Sequence, residues 1–581
     1  PYLSIPDDII ATHCFPKDIE VQEKNSDDKV VNEYFLFSLE NPNPITSQNS
    51  ARYNKVYFSC FLFHEPITYF HQYYQMKTGE YTVDTTVNKF LPKVICICSF
   101  LPLYHDFMKI LASLRTYVLE SPNLVNFYPI EKIIESLVYD IPSPTRGGKI
   151  HFEFLDGKKM IFEQTRPNDI PNPELDLNIL TKRFKIEQIF QVMKCVLLEL
   201  PIFFFCENKM HLTNTVESFA TLIYPFEYPH SVIAILPKAY YSLVQSTQTF
   251  LIGINERYKD DFFETNNIEI GNKIAIIVEM SDRGVILHQY KPKEDKPIIK
   301  SKKIFSYSYP EDIFNKYNLP FHYTEKTMKN IKALLVPIMQ SRTSNDLSTM
   351  TRFSNQSDRD SIVEKVDEKN NKQLFIYNLR QQFYTFFVSI MIYYQDYVIP
   401  SEDVKLSHFI EFQKKSLKIN DILKVKKFIQ VIPKLDRDFF KKFIDTRIFY
   451  NFLTKKLFPQ NLQDKLDILL FDEKINQKLN KKLAFQFKKK STPFLSYEGF
   501  HPEIIQIKIN IPPFTQEESN YLLSESGRAK IVKYYQNLSL EQMNQGDEKK
   551  IKIIYNVFPR LLNDSEYFSG DAEDDIYNAI N

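Results

Sequence analysis

Apolar positions along the first part of the chain follow two rhythms. Tyr34-Phe35-Leu36-Phe37 and Val56-Tyr57-Phe58-Ser59-Cys60-Phe61-Leu62-Phe63 are aromatic, β-favouring runs separated by the turn-rich Asn41-Pro42-Asn43-Pro44. Val94-Ile95-Cys96-Ile97-Cys98 reads as a further strand. There Cys96 and Cys98 share one face as small apolar side chains, with zinc ligation the competing reading. From Leu103 to Leu119 the period becomes helical, through Phe107, Ile110, Leu111, Leu114 and Val118. Strands with a covering helix predict a compact α/β module over residues 1–118, followed by a linker at 119–149.

Residues 150–340 alternate between strand and helix patterns. His151-Phe152-Glu153-Phe154 has the alternation of a half-buried strand. Phe184 to Leu198 carries a stripe of Ile186, Ile189, Phe190, Met193 and Leu197. Ile202-Phe203-Phe204-Phe205-Cys206 is continuously apolar, as a strand covered on both faces must be. Val216 to Ile223 reads as a helix stopped by Pro225. Val232-Ile233-Ala234-Ile235 and Ile274-Ala275-Ile276-Ile277-Val278 supply further buried strands. The succession predicts a doubly wound, mainly parallel α/β sheet.

Residues 341–372 are rich in Ser, Asn and charge and read as a flexible insertion. Helical spacing returns over 373–458. One helix is expected from Leu374 to Tyr397 and a second from Asp438 to Leu457, with Phe440, Phe443, Ile444, Ile448 and Phe452 as its stripe. The remainder, 459–581, is a Lys-rich extension interrupted by Pro493, Pro502, Pro512 and Pro513, with an acidic stretch from Asp571 to Asp575. No internal repeat is evident.

Composition narrows the function. Lys+Arg (73) nearly cancels Asp+Glu (72), leaving +1, so bulk charge points to neither nucleic acid nor an anionic membrane as main partner. The longest apolar run, Cys195 to Cys206, is interrupted by Glu199 and falls short of the about 20 residues a transmembrane helix needs. The chain begins at Pro1 without Met, as a fragment or processed chain would, and shows no signal-peptide pattern. Six cysteines at irregular spacing suit reduced thiols in a cytoplasmic setting.

Catalytic signatures are missing. Gly148-Lys149 is followed by Ile150 and preceded by Ser143 where a phosphate-binding loop needs glycine. Neither Gly-x-Gly-x-x-Gly nor a Gly-x-Ser-x-Gly elbow occurs, and no two histidines stand four apart. No catalytic residue, cofactor-binding residue or metal ligand is therefore assigned, and no cofactor is expected.

An ordered set of segments resembles the DENN-domain proteins. The central part is carried by Leu197-Leu198-Glu199-Leu200-Pro201, Leu222-Ile223-Tyr224-Pro225-Phe226-Glu227-Tyr228-Pro229-His230, Ile235-Leu236-Pro237 and Phe250-Leu251-Ile252-Gly253-Ile254. Cys14-Phe15-Pro16, Ser99-Phe100-Leu101-Pro102 and Ile141-Pro142-Ser143-Pro144 are similar to the upstream part. Asp436-Arg437-Asp438-Phe439-Phe440 and Asp445-Thr446-Arg447-Ile448-Phe449 are similar to the downstream part. The principal departure is Tyr228-Pro229, where the family favours Trp-Gln.

The resemblance implies an N-terminal longin-like module joined to a doubly wound α/β module and capped by C-terminal helices. It also implies guanine-nucleotide exchange on a Rab-type small GTPase in membrane trafficking, by a protein peripheral at membranes. Candidate GTPase contacts are Phe226, Glu227, Tyr228 and His230 after the helix-stopping Pro225, together with Arg146 in the linker. Each competes with a plainer reading: Phe226 and Tyr228 as core, His230 as a structural histidine, Arg146 as a solvated residue. Arg115 is read as a solvated helix-surface residue rather than an arginine finger. The alternative function is an exchange-inactive DENN-fold scaffold or adaptor subunit of a larger assembly, such as a cytoskeletal one, reached through the C-terminal extension.

Overall fold

The computed structural model describes most of residues 5–484, together with 504–508. The stretches 26–31, 41–54, 67–86, 116–132, 267–274, 291–316, 349–357, 401–417 and 485–503, everything after 508 and several shorter breaks lie outside the described residues.

In the N-terminal unit, α1 (Asp7–Cys14) precedes β1 (Gln22–Asn25), β2 (Glu33–Glu40), β3 (Lys55–Pro66), β4 (Val87–Ser99) and α2 (Tyr104–Arg115). The strands form an antiparallel sheet in the order β1-β4-β3-β2. Both faces of this sheet are covered, which explains the unbroken burial of Phe35 to Ser38 in β2. Phe35, Phe37, Phe58 and Cys60 join the main core, while Phe61 and Phe63 pack on Leu111 of α2.

The hairpin of β5 (Lys149–Phe154) and β6 (Lys158–Glu163) was expected to open the central module. Instead it belongs to a separate sheet, ordered β12-β5-β6. The alternation of β5 turns Ile150, Phe152 and Phe154 onto the second side of α2, against Phe107, Ile110 and Leu114. A helix apolar on two sides can be sandwiched in this way.

The central unit runs α3 (Asn178–Arg183), α4 (Ile186–Leu197), β7 (Ile202–Cys206), α5 (Lys209–Thr221), β8 (Ser231–Ile233), β9 (Phe250–Asn255), α6 (Lys259–Asn266), β10 (Ala275–Ser281) and β11 (Gly284–Tyr290). Its sheet order is β11-β10-β7-β9-β8. β10, β7, β9 and β8 are parallel, with β11 an antiparallel edge. From β7 the chain fills one side of the sheet with β8 at the edge and then β9 between, and crosses to the other side for β10 and β11, so the fold is a doubly wound α/β sheet. All of β7 is buried: Phe204 faces Phe219 of α5, while Phe203 and Phe205 face Phe262 of α6. Gly253 in β9 is required by close backbone approach, because a Cβ there would meet the Ala234 carbonyl oxygen at 2.1 Å.

The remaining helices are α7 (Phe321–Ser348), α8 (Asp358–Ile390), α9 (Ile419–Ile422), α10 (Val425–Val431), α11 (Arg437–Ile444), α12 (Arg447–Leu457) and α13 (Leu462–Ala484). They close over α4: Phe190 meets Phe383 and Phe386 of α8 at 5.6 Å. β12 (Ile504–Lys508) returns to pair in parallel with β5.

Three details of this region bear on the sequence reading, and the second is a correction. The segment 341–372 is helical at 341–348 and 358–372; lacking both Gly and Pro, it contains nothing that forbids a helix. The single helix expected from Asp438 to Leu457 is two. Thr446 breaks it, donating its hydroxyl to the Phe443 carbonyl and accepting the Phe449 N–H as N-cap of α12. Within the 459–581 extension, Phe471 and Ile475 of α13 are fully buried in the main core.

Candidate functional site

Two seams tie the units together, and both are built from buried polar groups. At the first, the edge strand β2 lies against α5. The Leu36 N–H donates to Thr213 Oγ1 at 3.2 Å and the Ser38 hydroxyl donates to Glu217. Lys55 Nζ stands 3.5 Å from Glu217 Oε2, and Lys209 Nζ is 2.5 Å from Glu33 Oε2. Burial works against the charge on Lys55, but Glu217, Tyr57 and Glu40 together outweigh it and raise the pKa. α5 begins earlier than its apolar stripe suggests, at the N-cap Asn208, which accepts the His211 N–H at 2.9 Å. Its first turns carry Thr213, Asn214 and Thr215, all buried: Thr213 meets β2 at the seam, and Asn214 exchanges hydrogen bonds with the Asp176 backbone.

Among the described residues two non-glycines have positive φ, Glu174 at 54° and Glu199 at 55°. Each aims its carboxyl group at the start of a helix distant in sequence. Glu174 Oε2 accepts the Asp106 N–H in the first turn of α2 at 3.3 Å. Burial, then the neighbouring Asp106 carboxylate, pushes Glu174 up to about 8. Glu199, between α4 and β7, accepts the Ile448 N–H in the first turn of α12 at 2.7 Å. A left-handed non-glycine costs about 1 kcal/mol, which a helix cap of similar size offsets.

Glu199 leads directly to the sequence candidates. Its Oε2 lies 3.2 Å from His230 Nε2, an ion-pair distance off the line of a hydrogen bond. The Tyr228 ring meets His230 edge-on at 5.5 Å. Tyr228 is half-buried, its hydroxyl has no hydrogen-bond partner among the described residues, and burial followed by Glu199 raises its pKa well above normal. Phe226 is core rather than contact surface. At 2% exposure it sits between Phe387, Phe443 and Phe452, with centroids at 5.4, 5.3 and 4.8 Å. Glu227 is the outward residue of the loop, with a side chain 62% exposed and paired with Lys455 of α12. Arg146 lies outside the described residues. Arg115 ends α2 half-buried, and its Nε has no partner among the described residues.

The structure therefore brings Glu227, Tyr228, His230, Glu199 and Lys455 to one corner where the central sheet meets the downstream helices. Reasoning from sequence overlooked Glu199 and Glu217 as organising groups. For Glu199 the available signal was an acidic residue inside an otherwise apolar run, Leu198-Glu199-Leu200, whereas Glu217 sits among polar neighbours and gave none.

The fold and its seams define a doubly wound α/β protein fastened to a second α/β unit. Residues 90–272 match the model of the DENN (AEX-3) domain, a span that runs from β4 past the Glu174 seam and beyond α6. The chain is 25% identical over 180 residues to DENN domain-containing protein 2D of Mus musculus, covering 31% of this chain and 38% of that protein. It is 32% identical over 168 residues to DENN domain-containing protein 2A of Mus musculus, covering 29% and 16%. With DENN domain-containing protein 3 of Mus musculus it shares 25% over 194 residues, covering 33% and 14%. The matches thus span well under half of each relative. No helix among the described residues is long and apolar enough to cross a membrane.

Proposed function

We propose that the protein is a guanine-nucleotide exchange factor for a small GTPase of the Rab type, acting in the cytoplasm and peripherally at membranes in vesicle traffic. The observation that carries this reading is the DENN match across 90–272, which takes in both sides of the Glu174 seam. In this reading the N-terminal unit is a longin-like module, and the GTPase lies across it and the doubly wound unit.

Exchange requires no proton transfer or metal on the protein's side. A nucleotide held with a picomolar constant is bound by about 16 kcal/mol. A factor that binds the nucleotide-free form better must, by linkage, weaken the nucleotide by the same free energy. Seams made of buried polar groups keep the two units in one arrangement before the partner arrives, which lowers the ordering cost of association. Glu227 is the exposed contact, Tyr228 and His230 hold its loop in place, and Arg146 reaches the partner from the linker.

The test is release of labelled GDP from a panel of Rab GTPases, with and without the full chain. Faster release from one or a few members establishes the activity. A flat panel from folded protein rejects it in favour of a DENN-fold scaffold or adaptor, whose assembly would be sought through the 459–581 extension.

A further inference from the structure

Three thiols from three separate elements converge inside the N-terminal unit. Cys14 is the last residue of α1, Cys60 lies in β3, and Cys96 lies in β4 directly opposite Cys60 in the ladder. Cys60 Sγ is 3.2 Å from Cys96 Sγ and 4.0 Å from Cys14 Sγ, and all three sulfurs fall within 4.8 Å of one another. Cys14 and Cys60 are buried and Cys96 is half-buried. The exchange reading uses none of them.

We propose that Cys14, Cys60 and Cys96 form a metal site for a soft closed-shell ion, copper(I) or zinc. Thiolates bound at about 2.3 Å to one such ion stand about 3.8–4.0 Å apart, so the observed separations need only small side-chain shifts to close on it. Thiolate sulfur selects these ions over hard cations. The trigonal donor set suits copper(I) as it stands, and for zinc leaves a fourth position on the half-buried Cys96 side. Binding forms three metal–sulfur bonds and displaces to solvent whatever protons the three sulfurs carry, so occupancy weakens in acid. Cys98, two residues further along β4, is exposed and outside the cluster.

The site's consequence is mechanical. α1 is otherwise held by Ile5 in the core, by His13 stacked on Phe37 at 5.4 Å, and by the Lys238 N–H donated to the Pro16 carbonyl at 2.9 Å. A bound ion would cross-link α1 to β3 and β4, and through Pro16 steady the central unit's contact with the N-terminus.

The full chain is purified anaerobically without chelators, and its bound metals are measured by mass spectrometry. Separate arms titrate the apo-protein with zinc and with copper(I) against competing chelators. One equivalent of zinc or copper(I) is expected in wild type and in Cys98→Ser, and loss of it in Cys14→Ser and Cys96→Ser. Chelation should lower the melting temperature of wild type and increase amide exchange over residues 5–16. Folded wild-type protein that takes up neither ion overturns the proposal whatever the variants do. So does metal that persists in Cys14→Ser or disappears in Cys98→Ser.

Discussion

Glu199 and Ile448 are joined by one hydrogen bond of 2.7 Å across a separation of 249 residues. The bond ties the turn that feeds the central strand β7 to the first turn of α12, and through the other carboxylate oxygen it reaches His230. One side chain therefore sets the relation between the central sheet, the candidate loop and the downstream helices. Its backbone is left-handed, at a φ of 55°, a conformation that a non-glycine holds only when its surroundings over-determine it.

Substitution at this position separates the cap from the strain. Glu199→Ala loses the acceptor and keeps the strained backbone, so a loss of about 1–3 kcal/mol is expected in denaturant unfolding. Glu199→Gly loses the same acceptor but relieves the positive φ, and should recover up to about 1 kcal/mol of that. Equal stability of Ala and Gly variants would show that the strain is immaterial.

At the first seam, Glu217→Ala leaves the Ser38 hydroxyl and the Lys55 ammonium without their shared partner. Breaking a fully buried pair costs about 3–5 kcal/mol. Because Lys55 keeps 34% of its side chain exposed, a loss of roughly 2–3 kcal/mol is expected by the same reasoning. Chemical denaturation checks this; a change within experimental error would mean that the seam contributes nothing.

Glu174 gives a pH dependence of definite sign. Its carboxyl titrates at about 8 in the folded chain, against about 4.3 unfolded. Between those values the native state holds a proton the unfolded chain has released. Its contribution to stability is therefore complete below about pH 4 and lost as pH rises through about 8. Glu174→Gln, permanently neutral, should flatten the stability profile across that window and raise stability at its upper end. An unchanged slope in melting temperature against pH would refute the assignment.

Gly253→Ala drives a methyl group into the Ala234 carbonyl, with backbone rather than a flexible side chain in the way. Destabilisation above about 4 kcal/mol is expected, enough to remove most folded protein from a soluble preparation. Normal yield and melting temperature would show that β9 can move away from the 234–236 crossing.

Glu227→Ala separates a contact from a structural residue. Glu227 is exposed while Lys455 is mostly buried, and Lys455 retains Asp464 at 3.3 Å, so stability should change by less than about 1 kcal/mol. In the nucleotide-release assay the same variant should slow exchange several-fold at limiting concentration. Unchanged exchange would remove Glu227 from the contact surface.

The sequence was most informative where burial follows a simple period. Ile202 to Cys206, Ile186 to Leu197 and the strands around Phe35 and Phe61 form the elements their spacing predicts, because apolar burial drives each of them. It was least informative where polar groups are buried. The first turns of α5 look like surface until β2 meets Thr213 and the Asp176 segment meets Asn214. The Thr446 break looks like continuous helix until its hydroxyl turns back as a cap. In the candidate loop, Phe226 was legible as an aromatic but not as the centre of a four-ring cluster, since Phe387, Phe443 and Phe452 come from distant segments. Glu199 could be noticed as an odd charge, whereas its two partners exist only in three dimensions.

The return of β12 to lie beside β5 bears on how the chain can be divided. β5 has β6 on one flank and β12 on the other, with Ile150, Phe152 and Phe154 on its apolar side. A fragment ending near 458 would bare that second flank, exposing a row of unpaired amides beside an apolar face. Such an edge recruits strands from neighbouring molecules, so the shortened protein would be expected to aggregate. The distal segment thus acts as an intramolecular guard against self-association, and its removal would change solubility before it changed any partner.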